Sequence, residues 1–565
     1  MEPKTLKKRS RRIVSAAAVV VASVAATFGL FSTAISGAHS ARAAAGTILT
    51  MESSPETTVT ADFNPFDEAA AIYGMGVDSL IYEPLMDFDL AEPTHAPYYL
   101  LATAYKWGAG GKSITFTIRS GVKFSDGSPL TPADVAATFN MMAATPAVNT
   151  QGLPLAGTTP ATVSGQQVTV AFTTAQYTNL QNIASYTYIV PSSFYSQSAP
   201  ATYADANPVG TGPFVFSSLT TAGVTLTANP NYWGTNKVSE VEFPIFASNT
   251  TVLSALTDNS LDWAGNFITG LKAAFISGQP THKDWFPGTQ TNSLEPNLTK
   301  FPTNLLPVRE AISDAIDRNK ISAIGEAGLE PPATNASGET LPEFQAVLAP
   351  ALKAKKYTLD DNANPAAAIK VLKAAGYKLK GGFFYDGSKE IKIVVTDPAA
   401  YTDYAADDAI IADDLKAAHI DASFDGQAVS AWSADIADGN FELTQHWSFG
   451  GIVGYGNYNA WLNSKLITKP NSSANFEQLD NKTIDKELTK LAAQTSISGQ
   501  IKYLAPLQKY VATQLPIIPT VYGAAFDEYN TSAFSGWPTP SNPYESGQPG
   551  SPQNVIVIEH LTPVS

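Results

Sequence analysis

Aromatic side chains set beside glycine and asparagine are the residues of this chain best suited to recognise another molecule. Trp263-Ala264-Gly265-Asn266-Phe267 follows an aspartate at an expected strand end, and Trp285-Phe286-Pro287-Gly288 comes soon after. The run WSFGGIVGYGNYNAWLN (447–463) carries Trp447, Tyr455, Tyr458 and Trp461 on glycine-rich backbone. Gly536-Trp537-Pro538 and Asn542-Pro543-Tyr544 lie near the C-terminus. Any one of these rings has an ordinary reading as core. Several together in loops at strand ends suit flat faces lining a cleft. Asn266, Asn457 and Asn459 would add paired donors and acceptors for hydroxyls or amides. This is chemistry for binding a neutral solute rather than for making or breaking bonds.

Catalytic patterns are sparse by comparison. Gly108-Ala109-Gly110-Gly111-Lys112-Ser113 resembles the end of a phosphate loop, but the first glycine of that pattern would fall on Lys106. The sequence also continues as a strand instead of the helix whose N-terminus would cradle phosphate; a glycine turn in a hairpin is the plainer reading. The histidines, His39, His95, His282, His419, His446 and His560, show no i,i+4 pair, and with no cysteine in the chain no thiolate can complete a zinc site. No G-x-S-x-G nucleophile elbow occurs. His446, at a strand end beside Trp447, has either a ligand role or that of a hydrogen-bonded strand histidine. No enzyme activity, metal or cofactor is expected.

The elements that must position the aromatic loops can be read from periodicity and caps. Residues 113–119 alternate as a half-buried strand, and Asp126-Gly127 marks a turn. Thr131 as N-cap, Pro132 at the first helical position and Asp134 three residues on form a capping box before VAATFNMM. Val308, Ile312 and Ile316 lie on one helix face. Residues 364–447 read as helix, strand, helix, strand, strand, which implies right-handed crossovers and a mostly parallel sheet. The final forty residues, rich in proline, read as a wrapping tail.

Composition narrows the class. The 565 residues are 44% hydrophobic and 15% charged, enough for a sizeable core and for more than one domain. Thirty-five basic against 50 acidic residues give −15, which disfavours nucleic acid as a partner. A cationic stretch from Lys4 to Arg12, an apolar segment from Ile13 to about Phe31 and A-x-A sites ending at Ala43 or Ala45 read as an export signal over residues 1–45. The alternative is a retained membrane anchor. Cleavage after Ala43 would leave 28 cations and 49 acids, −21. The leader has no cysteine to carry a lipid, so the expected location is periplasmic, extracellular or at the cell surface.

Four blocks of sequence then resemble one family. FTIRSGVKFSDGSPLTPADV (116–135), NPVGTGPFVF (207–216), NPNYWG (229–234) and VREAISDAIDRNKI (308–321) are similar, in order and spacing, to the extracellular solute-binding proteins, family 5, of ABC importers. The resemblance implies an α/β, two-lobed periplasmic-binding-protein fold of the class II type, with an extra α+β subdomain inserted in lobe one. It implies lobe I from 46–90, 216–303 and 520–565, the inserted subdomain from 91–215 and lobe II from 304–519. Solute would be held between lobes that close over it. The expected partners are an oligosaccharide or oligopeptide solute and the membrane permease subunits, with the chain itself a monomer.

Peptide-binding members place an acid after the strand that matches FELTQHW, whereas the loop here, SFGGIVGYGNYN, has none. An ammonium buried without a counter-charge is costly. The loop, DWAGNF and GWPTPSNPY instead resemble the cello-oligosaccharide-binding branch. The expectation is therefore a β-gluco-oligosaccharide bound by Trp263, Asn266, Trp285, Trp447, Tyr455, Asn457, Tyr458 and Trp537, with an oligopeptide as the alternative and a secreted glycosidase as a remote one.

Overall fold

The structure, a computed structural model, describes residues 47–564 apart from 57, 68–69, 93–94, 197–198, 400, 449–453, 468–471, 473 and 551. The expected export signal, and part of the glycine-rich loop after Trp447, lie outside the described residues.

Two sheets organise the chain. The first has seven strands in the order His282–Asp284, Glu528–Asn530, Trp263–Ala264, Ile48–Glu52, Glu240–Pro244, Gly223–Ala228 and Phe214–Thr220. Ile48–Glu52 runs parallel to both Glu240–Pro244 and Trp263–Ala264, so residues far apart in sequence meet at its centre. The second sheet has five strands in the order Asp421–Gln427, Lys392–Pro398, Leu443–Trp447, Gly288–Pro296 and Ile518–Ala524. Its first three are parallel and the last two join antiparallel. The α/β alternation expected over 364–447 is present. It includes one helix that periodicity did not reveal, Val429–Asp438, between Asp421–Gln427 and Leu443–Trp447.

Each sheet has its own apolar core. Leu49, Met51, Trp263 and Tyr529 belong to the first; Val308, Ile312, Ile316, Ile393 and Leu443 belong to the second. A four-stranded antiparallel sheet, Ala102–Trp107, Ser113–Ile118, Gln167–Ala171 and Ala161–Ser164, lies within the stretch expected as the inserted subdomain. The glycine run at 108–111 is its hairpin turn, with the Gly108 amide donating to the Ser113 carbonyl at 2.8 Å. Helix Pro132–Ala144 starts on its capping box, where the Thr131 amide donates to Asp134 Oδ2 at 2.9 Å.

The chain crosses between the two sheets at 285–287 and returns at 525–527, since Gly288–Pro296 and Ile518–Ala524 already pair within the second sheet. The resemblance had implied crossings near 304 and 520. The earlier outward crossing follows from the nine-residue strand 288–296, whose polar, only half-alternating sequence gives a weak strand signal. The tail passes back over the first sheet and ends in the buried helix Asn554–His560.

Candidate functional site: a cavity between the two sheets

A cavity of about 300 Å³ lies where the two halves meet. Its walls come from both. Asn249, Phe267 and Phe526 line it from the first half, Gln290 and Asn292 from the crossing strand, and Glu330, Tyr401, Thr402, Asp403, Tyr404 and Trp447 from the second. On that side Tyr401, Thr402, Asp403 and Tyr404 stand just past the carboxyl end of the parallel strand Lys392–Pro398, and Trp447 ends the parallel strand Leu443–Trp447, the usual place for a ligand on an open α/β sheet.

The rings form two angled pairs. Phe267 and Phe526 meet at 6.0 Å and 73° on the first wall, with Phe286 packed on Phe526 at 5.3 Å. Tyr401 and Tyr404 meet at 6.0 Å and 84° on the second. Trp447 is half-buried and stacks on His446 at 4.3 Å, and both Tyr401 and Trp447 lean on the buried Trp432. His446 is enclosed, and burial pushes its ring down to about 4, so it is neutral at physiological pH. It is a strand histidine whose Nδ1 lies 2.7 Å from the Trp447 carbonyl.

Two carboxyl groups face the cavity. Glu330 is buried and accepts from the Ala524 amide at 2.9 Å and from Asn292 Nδ2 at 2.8 Å. That leaves Asn292 Oδ1 buried with no hydrogen-bond partner. Burial, reinforced by the nearby Glu326 carboxylate, drives Glu330 well above the usual carboxylate range. Asp403 stands in the first turn of helix Thr402–Ala417. Burial raises it too, opposed by hydrogen bonds to its carboxylate from the Tyr404 amide and its own. Behind them lie four more buried carboxyl groups, Glu326, Asp397, Asp407 and Asp408, each raised above the usual carboxylate range first by burial, with Glu326 acting on Asp407 and Asp397 on Asp408. Gly325 makes room for Asp407, since a Cβ there would lie 1.6 Å from Asp407 Oδ1. The lining contains no lysine or arginine. Among the described residues no group of three or more His, Cys, Asp or Glu is placed to hold a metal ion.

Of the eight residues expected to bind, Trp447 lines this cavity, and five are buried elsewhere. Trp263 is fully enclosed in the first half, its Nε1 donating to Asp527 Oδ1 at 2.9 Å and to the Gly547 carbonyl at 2.8 Å. Trp537 packs against it at 5.5 Å and 68°, and stacks on Tyr529 at 5.0 Å. Asn266 is consumed by two buried acids, its amide donating to Glu528 Oε2 at 3.2 Å and its Nδ2 to Glu52 Oε2. Asn457 and Tyr458 lie on a helix, Tyr455–Leu462, not on a flexible loop. The 3.6-residue period turns Tyr458, Trp461 and Leu462 inward together, and the Tyr458 hydroxyl donates to the Ser337 carbonyl at 2.7 Å. Trp285 and Tyr455 are half-buried and stand apart from the cavity lining. The expectation of a cleft without fixed negative charge is also overturned. The 448–459 loop has no acid, but two carboxyl groups on other elements, Glu330 and Asp403, line the cavity.

The sequence profile of the bacterial extracellular solute-binding proteins, family 5, matches residues 96–469. The chain is 26% identical over 444 residues to the nickel-binding periplasmic protein of Escherichia coli, an alignment covering 74% of this chain and 79% of that one. Its fold is similar to that of the periplasmic oligopeptide-binding protein of a Thermotoga maritima ABC transporter. The TM-score is 0.82 at 22% identity, covering 92% of this chain and 99% of the other. The same Thermotoga protein bound to mannohexaose gives 0.76 at 22% identity, with the same coverage. No helix among the described residues is long and apolar enough to cross a membrane. With profile and fold in agreement, the chain belongs to the bacterial extracellular solute-binding proteins, family 5, the substrate-binding components of ABC importers.

Proposed function

We propose that the solute is a short peptide-like molecule carrying a protonated amine, captured in the cavity between the halves and handed to the permease. The observation that carries this reading is the polar lining: Asp403, Glu330 and the unpartnered Asn292 Oδ1 are acceptors, and no cation stands among them. An ammonium needs acceptors on several sides and a counter-charge when it leaves water. Here Asp403 supplies the counter-charge, and Glu330 and Asn292 Oδ1 offer further acceptor oxygens. The angled phenylalanines of the opposite wall suit an apolar side chain of the same solute.

An oligosaccharide is the second reading, favoured by one feature. Trp447 and Tyr401 are aromatic surfaces beside the amides of Asn249, Gln290 and Asn292, a set that suits a sugar ring and its hydroxyls. The mannohexaose complex of the similarly folded Thermotoga protein belongs to the same line of thought. Titration calorimetry separates the two. Short peptides with a free amino terminus should bind, and their N-acetylated counterparts should bind at least tenfold more weakly. Tight binding of cello- or manno-oligosaccharides with no response to peptides would replace the first reading by the second.

A further inference from the structure

We infer that the outer face of the second half is an electrostatic docking surface for a bilayer containing anionic lipid. The acidic chain sums to −15, yet four elements of this half carry eleven lysines against Asp386 and Glu390, with Asp360 and Asp361 in the exposed link between two of them and Asp421 beside Lys392, a local +6. The turns Pro350–Lys353 and Lys355–Tyr357 supply Lys353, Lys355 and Lys356. Helix Pro365–Ala374 supplies Lys370 and Lys373 and contains no acid. The hairpin region 378–392 supplies Lys378, Lys380, Lys389 and Lys392, and helix Ile497–Gln514 supplies Lys502 and Lys509, again with no acid. All eleven side chains are exposed.

These elements are tied into one body. Helix Pro365–Ala374 packs on helix Leu306–Ala315, whose Arg309 donates to the Gln514 carbonyl at the end of helix Ile497–Gln514. From that last helix, Gln508 holds the Ala349 amide and the Val347 carbonyl just ahead of the lysine-bearing turns. Lys389 lies over the Phe301 ring, next to the start of helix Leu306–Ala315.

The charge is also unspent. Among the described residues an ion pair reaches one of the eleven, Lys392, which meets Asp421 at 3.1 Å. Lys356, Lys380 and Lys502 instead lie over neighbouring tyrosine rings.

The makeup of the patch favours lipid over a protein partner. Protein interfaces draw on arginine and are depleted in lysine, whereas Arg119, Arg309 and Arg318 are all engaged on backbone carbonyls. Flexible, strongly hydrated ammonium groups spread over four elements match a diffuse layer of phosphate headgroups rather than a shaped protein surface. Leu379, 48% exposed between Lys378 and Lys380, adds an apolar side chain able to enter the interface. A protein that delivers solute to a membrane permease would be held by this face near the bilayer.

The test is co-sedimentation of the exported protein with vesicles of phosphatidylcholine alone or with 30% phosphatidylglycerol, a probe composition chosen to carry charge. The expected result is at least tenfold stronger retention on the anionic vesicles, lost as salt is raised. Retention should also fall at least tenfold in the variant K370E/K373E/K378E/K380E, with solute binding unchanged. Equal retention on both vesicle types, or anionic retention that survives the charge reversal, overturns the proposal. So does capture of a purified permease in detergent that depends on the same lysines while vesicles without it show no charge preference.

Discussion

The two walls that flank the cleft are built from the same kinds of residue and end up with opposite properties. On the first, Trp263 and Asn266 sit at a strand end with Glu52, Asp527 and Glu528 around them. On the second, Trp447 and Tyr401 sit near strand ends with Glu330 and Asp403. What separates them is cover. The returning tail lays Trp537 across Trp263 and sets the Gly547 carbonyl on its indole nitrogen, which closes Trp263 off and leaves Asn249, Phe267 and Phe526 to line the cavity from that side. Nothing comparable crosses Trp447 among the described residues, and the second wall opens into the cavity. An aromatic residue beside glycine therefore acquires its role from chain that arrives hundreds of residues later.

The largest consequence should appear in stability. Trp263→Ala would remove a fully enclosed indole and leave Asp527 Oδ1 without its donor. The expected loss is about 3–5 kcal/mol, read by denaturant unfolding. A loss below ~1 kcal/mol would mean that the tail does not close Trp263 off, and the contrast between the walls would collapse.

The next effect is one of pH. Burial holds Glu52 at about 7 when folded, against an ordinary value of 4.5. A group raised on folding contributes stability that is complete below its unfolded value and is lost as pH rises through the folded one. For Glu52 the window runs from about 4.5 to about 7, and the loss at higher pH is up to ~3 kcal/mol. Asp527 and Glu528, also raised by burial, act with the same sign. Glu52→Gln keeps an acceptor for Asn266 Nδ2 and should flatten the fall. An unfolding free energy that climbs from pH 5 to 8 in the parent protein would contradict the sealed, uncharged state of these acids.

These contrasts also explain what was legible in the sequence. The capping box at Thr131 and Asp134, the hairpin at 108–111 and the buried helix face of Val308 and Ile312 are local patterns, decided by neighbours within a few residues, and each is where it was expected; Ile316 is buried too, but lies just past the end of helix Leu306–Ala315. The α/β alternation after residue 364 is of the same kind. Cavity-lining residues are not. Trp263 and Trp537 looked alike as loop aromatics because sequence does not show that they pack on each other. Glu330 and Asp403 escaped notice because no motif links positions 73 residues apart, although YTDYAADD directly after the strand KIVVTDP was a usable hint. A helix that starts at the carboxyl end of a parallel strand presents its first residues to the cleft.

The second wall should respond in affinity more than in stability. Asp403→Asn removes a half-buried carboxylate whose charge has no cationic partner among the cavity liners. Folding stability should stay within ~0.5 kcal/mol, while affinity for a free-amine peptide should drop at least tenfold, about 1.4 kcal/mol. Because burial raises Asp403, an arriving ammonium must displace a proton when the pH is low. Affinity in the parent protein should therefore rise with pH, in the direction opposite to the stability of the first wall. Peptide affinity that is flat with pH, or untouched by Asp403→Asn, would remove Asp403 from the site.

Trp447→Ala gives the smallest expected change in affinity and the sharpest comparison with Trp263→Ala. The indole is half-buried and already has one face on His446, so its loss should cost about 1 kcal/mol or less. If the amine carries recognition, peptide affinity should weaken only a few-fold, and Trp447→Phe should restore most of it. A loss of a hundredfold or more, with Asp403→Asn silent, would mean that ring stacking dominates, and the oligosaccharide reading would then be the better account of the cavity. Two indoles near strand ends in the two halves would thus be told apart by which measurement each one moves, unfolding for Trp263 and titration for Trp447.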